Sequence, residues 1–267
     1  MSNIIEFVDY KNLRDDIEKY RSEITSKIIE KDNLFFHICK NIESDYIYKF
    51  GFLEYKAYEL ELYYRRLKKK LEILIYYRNH DKKIKESEIE SILDDLFKEY
   101  MVQLDNKLKN INNSLERINS KGLSEEDKKE LKSKYRSIIK KLHPDLNPEL
   151  SESKIELFYN AVTAYKNGDL QTIKFIFNIV ELDKELEVGN SLDSLKKEKD
   201  RLKNTLDEIN KMIEDIKLDY PYVLKEYLED EEKSKERFNF LNQQIETYEA
   251  YIFKYDKEIE KYYEILL

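Results

Sequence analysis

KKELKSKYRSIIKKLHPDLNPELSESKIELFYNAVTAY, residues 128–165, is the stretch whose reading decides the fold. Leu131, Tyr135, Ile138, Ile139 and Leu142 fall on one stripe of an α-helix, which must be buried. The opposite face carries Lys128, Lys129, Lys132, Lys134, Arg136, Lys140 and Lys141 against Glu130, inside a chain of net charge −8, so the sign of the charge reverses locally. Ser124 with Asp127 reads as the capping pair that starts this helix. Pro144 forces His143 out of the α region, so the helix ends near Leu142 and His143-Pro144-Asp145 forms an exposed loop. A second helix follows, capped by Ser151 or Asn147, with Ile155, Phe158, Val162 and Tyr165 on one face and Ala161 and Ala164 allowing close approach. Gly168 suits the left-handed position that stops it.

Tyr135-Arg136, Lys141-Leu142-His143-Pro144-Asp145, Asn147-Pro148, Phe158, Ala161 and Ala164-Tyr165 together resemble the J-domain, the signature module of DnaJ-type co-chaperones, over about residues 110–180. The resemblance implies a helical hairpin whose His-Pro-Asp loop and basic helix dock on a DnaK-type, seventy-kilodalton heat-shock chaperone and stimulate its ATP hydrolysis. Carried over, His143, Pro144 and Asp145 are the activating loop, while Lys132, Arg136, Lys140 and Lys141 steer docking. A cationic helix accelerates encounter with an acidic partner in a salt-dependent way, and the proline limits the ordering entropy lost on binding.

The chain departs from the pattern in four places. Leu146 stands where the family has a lysine, and Leu142 where it usually has an aromatic. The family's short first helix has no clear counterpart, and a helix end around Leu115, Ile118 and Leu123 is expected to substitute for it. Leu170, Ile173, Phe175, Ile176, Phe177, Ile179 and Val180 replace a basic fourth helix and are too apolar to face water, so this segment is expected to dock against the helical scaffold. A structural or interaction protein that keeps the hairpin only as a fold element is therefore the alternative reading.

Outward from this stretch the chain reads as nearly all helix. Four glycines and three prolines in 267 residues, with 39 % charged residues, leave too few turn formers for sheets. Leu13, Ile17, Tyr20, Ile24 and Ile28 mark a first helix over residues 3–31. An aromatic-dense stretch from Leu34 to Phe52 reads as a small helical core that Gly51 punctuates. Heptads recur at Leu53, Leu60, Leu67 and Leu74, and again at Phe97, Met101, Leu104, Leu108, Ile111, Leu115 and Ile118. After a break at Gly189-Asn190-Ser191 they resume at Leu195, Leu202, Leu206, Ile209 and Ile213, and after Pro221 at Leu241, Ile245, Tyr248, Ile252, Tyr255 and Ile259.

The expected architecture is all-α, a J-domain-like hairpin inserted between long antiparallel coiled-coil helices. The helix ending at Ile118 would pair with the helix starting at Ser191, and homo-oligomerisation is a further way to complete the stripes. The division runs 1–109 for an N-terminal coiled-coil region, 110–185 for the hairpin module and 186–267 for a C-terminal helical hairpin.

Composition excludes several classes of function. Cys39 is the sole cysteine, which rules out an internal disulfide and suits a reducing cytoplasm. His37 and Cys39 have no second pair to complete a zinc site and read as packing residues. The first 31 residues carry no apolar run, so a soluble cytoplasmic protein without a membrane span is expected. The net charge and the lack of a basic region before the first heptads disfavour nucleic-acid binding. No glycine-rich phosphate loop, zinc constellation or nucleophile elbow is present, so no catalytic residue, cofactor or metal is assigned, and the coiled coils are left to bind a client or assembly partner.

Overall fold

In the computed structural model, residues 2–119, 122–182 and 191–266 are described, and among them every regular element is helical. The order is α1 (Ser2–Asn33), a π-helical turn (Leu34–Ile38), α2 (Cys39–Asn79), α3 (Glu86–Asn119), α4 (Glu125–Leu142), α5 (Glu152–Lys166), α6 (Leu170–Leu182), α7 (Leu192–Leu218), a short 3₁₀ turn, α8 (Lys225–Glu229) and α9 (Glu231–Leu266). No described helix is long and apolar enough to cross a membrane.

Two compact units result, and they do not follow the consecutive segments 1–109, 110–185 and 186–267. The first comprises Met1–Asn41 and Lys121–Val223, the second Ile42–Ser120 and Leu224–Leu267.

In the first unit, α7 takes α1 as its partner, whereas the heptads suggested pairing with α3, which belongs to the second unit. Ile17, Ile24 and Ile28 of α1 share one buried core with Leu195, Leu202, Ile209 and Ile213 of α7. Asp16 meets Lys199 at 2.6 Å, and further along both helices Ser26 and Asn210 line one cleft, so the pair runs parallel. The same core receives the hairpin. Tyr135 of α4 stacks on Tyr165 of α5, ring centroids 4.0 Å apart, and His143 meets Phe158, which makes α4 and α5 antiparallel.

Two expectations about the hairpin's flanks change. Helix α1 packs on α4, whereas Leu115 and Ile118, expected to flank the hairpin, are exposed in the second unit and only Leu123 packs against the first core. The apolar segment after Gly168 forms α6, which packs along α4 and α5 through Leu170, Ile173, Ile176 and Val180. Its apolar face is buried by the hairpin itself; Phe175 and Ile179 remain exposed.

In the second unit α2 and α3 form an antiparallel pair. Arg66 reaches Glu90 and Asp94, Tyr58 Oη donates to Gln103 at 2.7 Å, and Gly51 lies against Ile111. Gly51 sits inside α2 and punctuates nothing: a Cβ there would stand 3.0 Å from Ile47 Cγ2 and 3.3 Å from Ile111 Cγ1, so the glycine admits α3. Helix α9 runs parallel to α2, as Glu54 pairs with Arg237, Tyr64 with Tyr251 and Arg78 with Tyr262 in ascending order. Leu67, Leu71 and Leu74 close a core with Ile89, Leu93 and Ile259.

Candidate partner-binding site

Helix α4 begins as its sequence dictates. Ser124 Oγ accepts from the Asp127 N–H at 3.1 Å, and Glu125, Glu126 and Asp127 occupy the first turn, where negative charge meets the positive end of the helix dipole. It ends at Leu142, because His143 is extended, with φ −70° and ψ 127°, as a residue before proline must be. The chain then turns tightly. The Leu146 and Asn147 N–H groups both donate to the His143 carbonyl, at 3.0 and 2.9 Å, and Asn147 Nδ2 donates to the Lys140 carbonyl at 3.1 Å. Asn147 thus satisfies an orphan carbonyl at the end of α4, and Ser151 precedes α5 as its N-cap residue.

The tripeptide is less open than a surface loop. The His143 side chain is only 13 % exposed, its ring set edge-on against Phe158 at 4.9 Å. The Asp145 N–H donates to His143 Nδ1 at 3.1 Å, so a neutral ring carries its proton on Nε2. Burial holds the imidazole below its ordinary pKa, Lys31 acts in the same sense, and the Asp145 and Asp32 carboxylates oppose them. Asp145 is different: its side chain is 53 % exposed. Leu146, next in the turn, is 1 % exposed and belongs to the core.

Lys132, Arg136 and Lys140 form an exposed row at intervals of four along α4, running toward the turn. Lys141 departs from that row. It is half-buried, donates to the Val180 carbonyl at 3.3 Å and pairs with Glu181 at 3.2 Å, so it ties α6 to α4. Lys134 likewise lies over the Phe177 ring at 4.2 Å. Of the four basic residues assigned to docking, the structure groups three.

Two residues that sequence reasoning missed hold the site. Arg201 of α7 donates from Nη1 to the Asp145 carbonyl at 2.5 Å and is itself gripped by both oxygens of Glu198, at 2.8 Å each, with Arg21 on the far side of Glu198 at 3.3 Å. Asp32, buried at the end of α1, accepts from Tyr135 Oη at 2.7 Å. Neither residue stands near the hairpin in sequence. No protein-family model, no curated protein and no solved structure matches this chain.

Proposed function

We propose that the chain acts as a J-domain-type co-chaperone: it engages a DnaK-type ATPase through the His143-Pro144-Asp145 turn and the basic face of α4, and uses its long helices to hold a client or assembly partner. The observation that carries this reading is the exposed row Lys132, Arg136 and Lys140 leading directly into a turn whose Asp145 carboxylate also faces solvent. A cationic stripe beside a rigid anionic group is suited to a partner with an acidic groove and a basic contact point. The protein would hydrolyse nothing itself.

The test is single-turnover ATP hydrolysis by a DnaK-type chaperone with the full chain added. Stimulation is expected, falling with salt, and lost in Asp145→Asn and in the double variant Lys132→Glu, Arg136→Glu, all three positions being exposed and therefore neutral for folding. Turnover equal with wild type and with these variants overturns the reading.

A second reading is favoured by the burial of His143 and Leu146 and by Arg201 on the Asp145 carbonyl. There the hairpin is scaffold for a helical interaction protein, and no salt-sensitive binding to the chaperone is expected.

A further inference from the structure

The second heptad run does not bury its whole stripe. In α3, Leu104 is buried, yet Met101, Leu108 and Leu115, each seven residues apart, are 52, 43 and 37 % exposed. By the antiparallel register that sets Gly51 against Ile111 and Tyr58 against Gln103, the exposed Tyr48 and Phe52 of α2 lie beside the C-terminal half of this stripe and widen it. Side chains repeating at seven on a straight helix form a seam for another helix. An apolar strip of this kind in water marks an interaction surface.

The charges beside the seam say which helix. Lys98, Asp105, Lys109 and Glu116 are all exposed and flank Met101, Leu108 and Leu115 on the same side. When two copies of α3 pack antiparallel about a two-fold axis at Leu108, same-side flanks meet, Met101 of each faces Leu115 of the other, and positions whose numbers sum to about 216 stand opposite. Lys98 then meets Glu116 and Asp105 meets Lys109, each pair made twice by the symmetry. A parallel pairing would instead set this flank against the opposite flank of the partner's seam, and the four charges would not meet one another.

We propose that the chain self-associates through this face of α3, with a second copy of the same chain as the occupant, antiparallel and centred on Leu108.

Sedimentation of the full chain over a range of concentration should show a reversible dimer, and Leu108→Glu should weaken it by roughly a hundredfold or more, because two charges would be forced together at the axis. Circular dichroism should stay unchanged, since Leu108 is already exposed in one copy. Lys98→Glu or Glu116→Lys alone should weaken association roughly 2- to 10-fold and the two together restore it. In a Cys39→Ser background, mild oxidation should link Leu108→Cys chains to each other and leave Met101→Cys chains unlinked. A monomer at all concentrations, a dimer indifferent to Leu108→Glu, or linkage at Met101→Cys and not at Leu108→Cys overturns the proposal.

Discussion

Tyr135 of α4 donates its hydroxyl to the buried Asp32 carboxylate of α1, 2.7 Å away and 103 positions earlier in the chain, while its ring stacks on Tyr165 of α5. Three helices are joined at one side chain. The low polarity of the site and the neighbouring carboxylate push the Tyr135 hydroxyl strongly upward in pKa, which favours its protonated, donating form. Tyr135→Phe keeps the stack and removes the donor, leaving Asp32 with Lys31 at 3.5 Å. Because a buried carboxylate is left short of a partner, a loss of about 1–3 kcal/mol is expected from urea unfolding of the variant against wild type.

His143 gives stability a pH dependence whose sign follows from its burial. Its folded pKa is depressed, so below about 6.5 the unfolded chain takes up a proton that the folded chain refuses, and stability falls as the pH drops. Above that value the residue contributes no slope. Denaturation midpoints measured between pH 5 and pH 8 should therefore decline less steeply toward acid in His143→Gln than in wild type. An identical slope in both would contradict the buried, neutral ring. The same variant should also lose some stability at neutral pH through its contact with Phe158, which makes Asp145→Asn the cleaner probe of partner activation.

Arg201 should set the stiffness of the turn. With Arg201→Ala the Asp145 carbonyl loses its donor from α7, and the Leu146 and Asn147 amides should exchange with deuterium roughly 2- to 10-fold faster in peptides covering residues 143–150. Unchanged exchange would mean that the hydrogen bonds to the His143 carbonyl suffice alone.

Gly168 has φ +67°, and its N–H bonds back to the Tyr165 carbonyl at 3.1 Å to finish α5. Gly168→Ala places a Cβ in a left-handed backbone 3.4 Å from Leu123 Cδ1, and a thermal or urea melt should record a loss of about 1–2 kcal/mol.

What could be read from the sequence was what is local. The ends of α4 follow from Ser124 and Pro144, the end of α5 from Gly168, and the start of α7 from Ser191, whose hydroxyl accepts from the Ser194 N–H at 3.3 Å; Gly189 and Asn190, read as part of the same break, lie outside the described residues. Each signal acts within a turn of itself. Partner choice was not legible, because Ile17, Ile24 and Ile28 make a stripe that any of several leucine and isoleucine repeats could cover, and only the folded chain selects Leu195, Leu202 and Ile209. Arg201 and Asp32 were invisible for a related reason: one arginine among many charged residues, or one acid at a helix end, announces nothing until the fold brings it to Asp145 or Tyr135. Leu146 stood out as apolar, but its place in a core shared with residues of α1 and α7 could not be read from the turn alone.

The pairing of α1 with α7 also constrains how the chain emerges from a ribosome. Asp16 waits for Lys199, 183 positions later, so at about 5–20 residues per second the first helix stays without its mate for roughly 10 to 40 s. Helix α4 can cover part of α1 earlier, but the part of the stripe that α7 covers stays bare on the nascent polypeptide during that interval, and long sequence separation slows the eventual closure. Vectorial synthesis therefore leaves this protein dependent on late-arriving residues, and a stop codon placed before α7 would yield a product that holdases or proteases meet first.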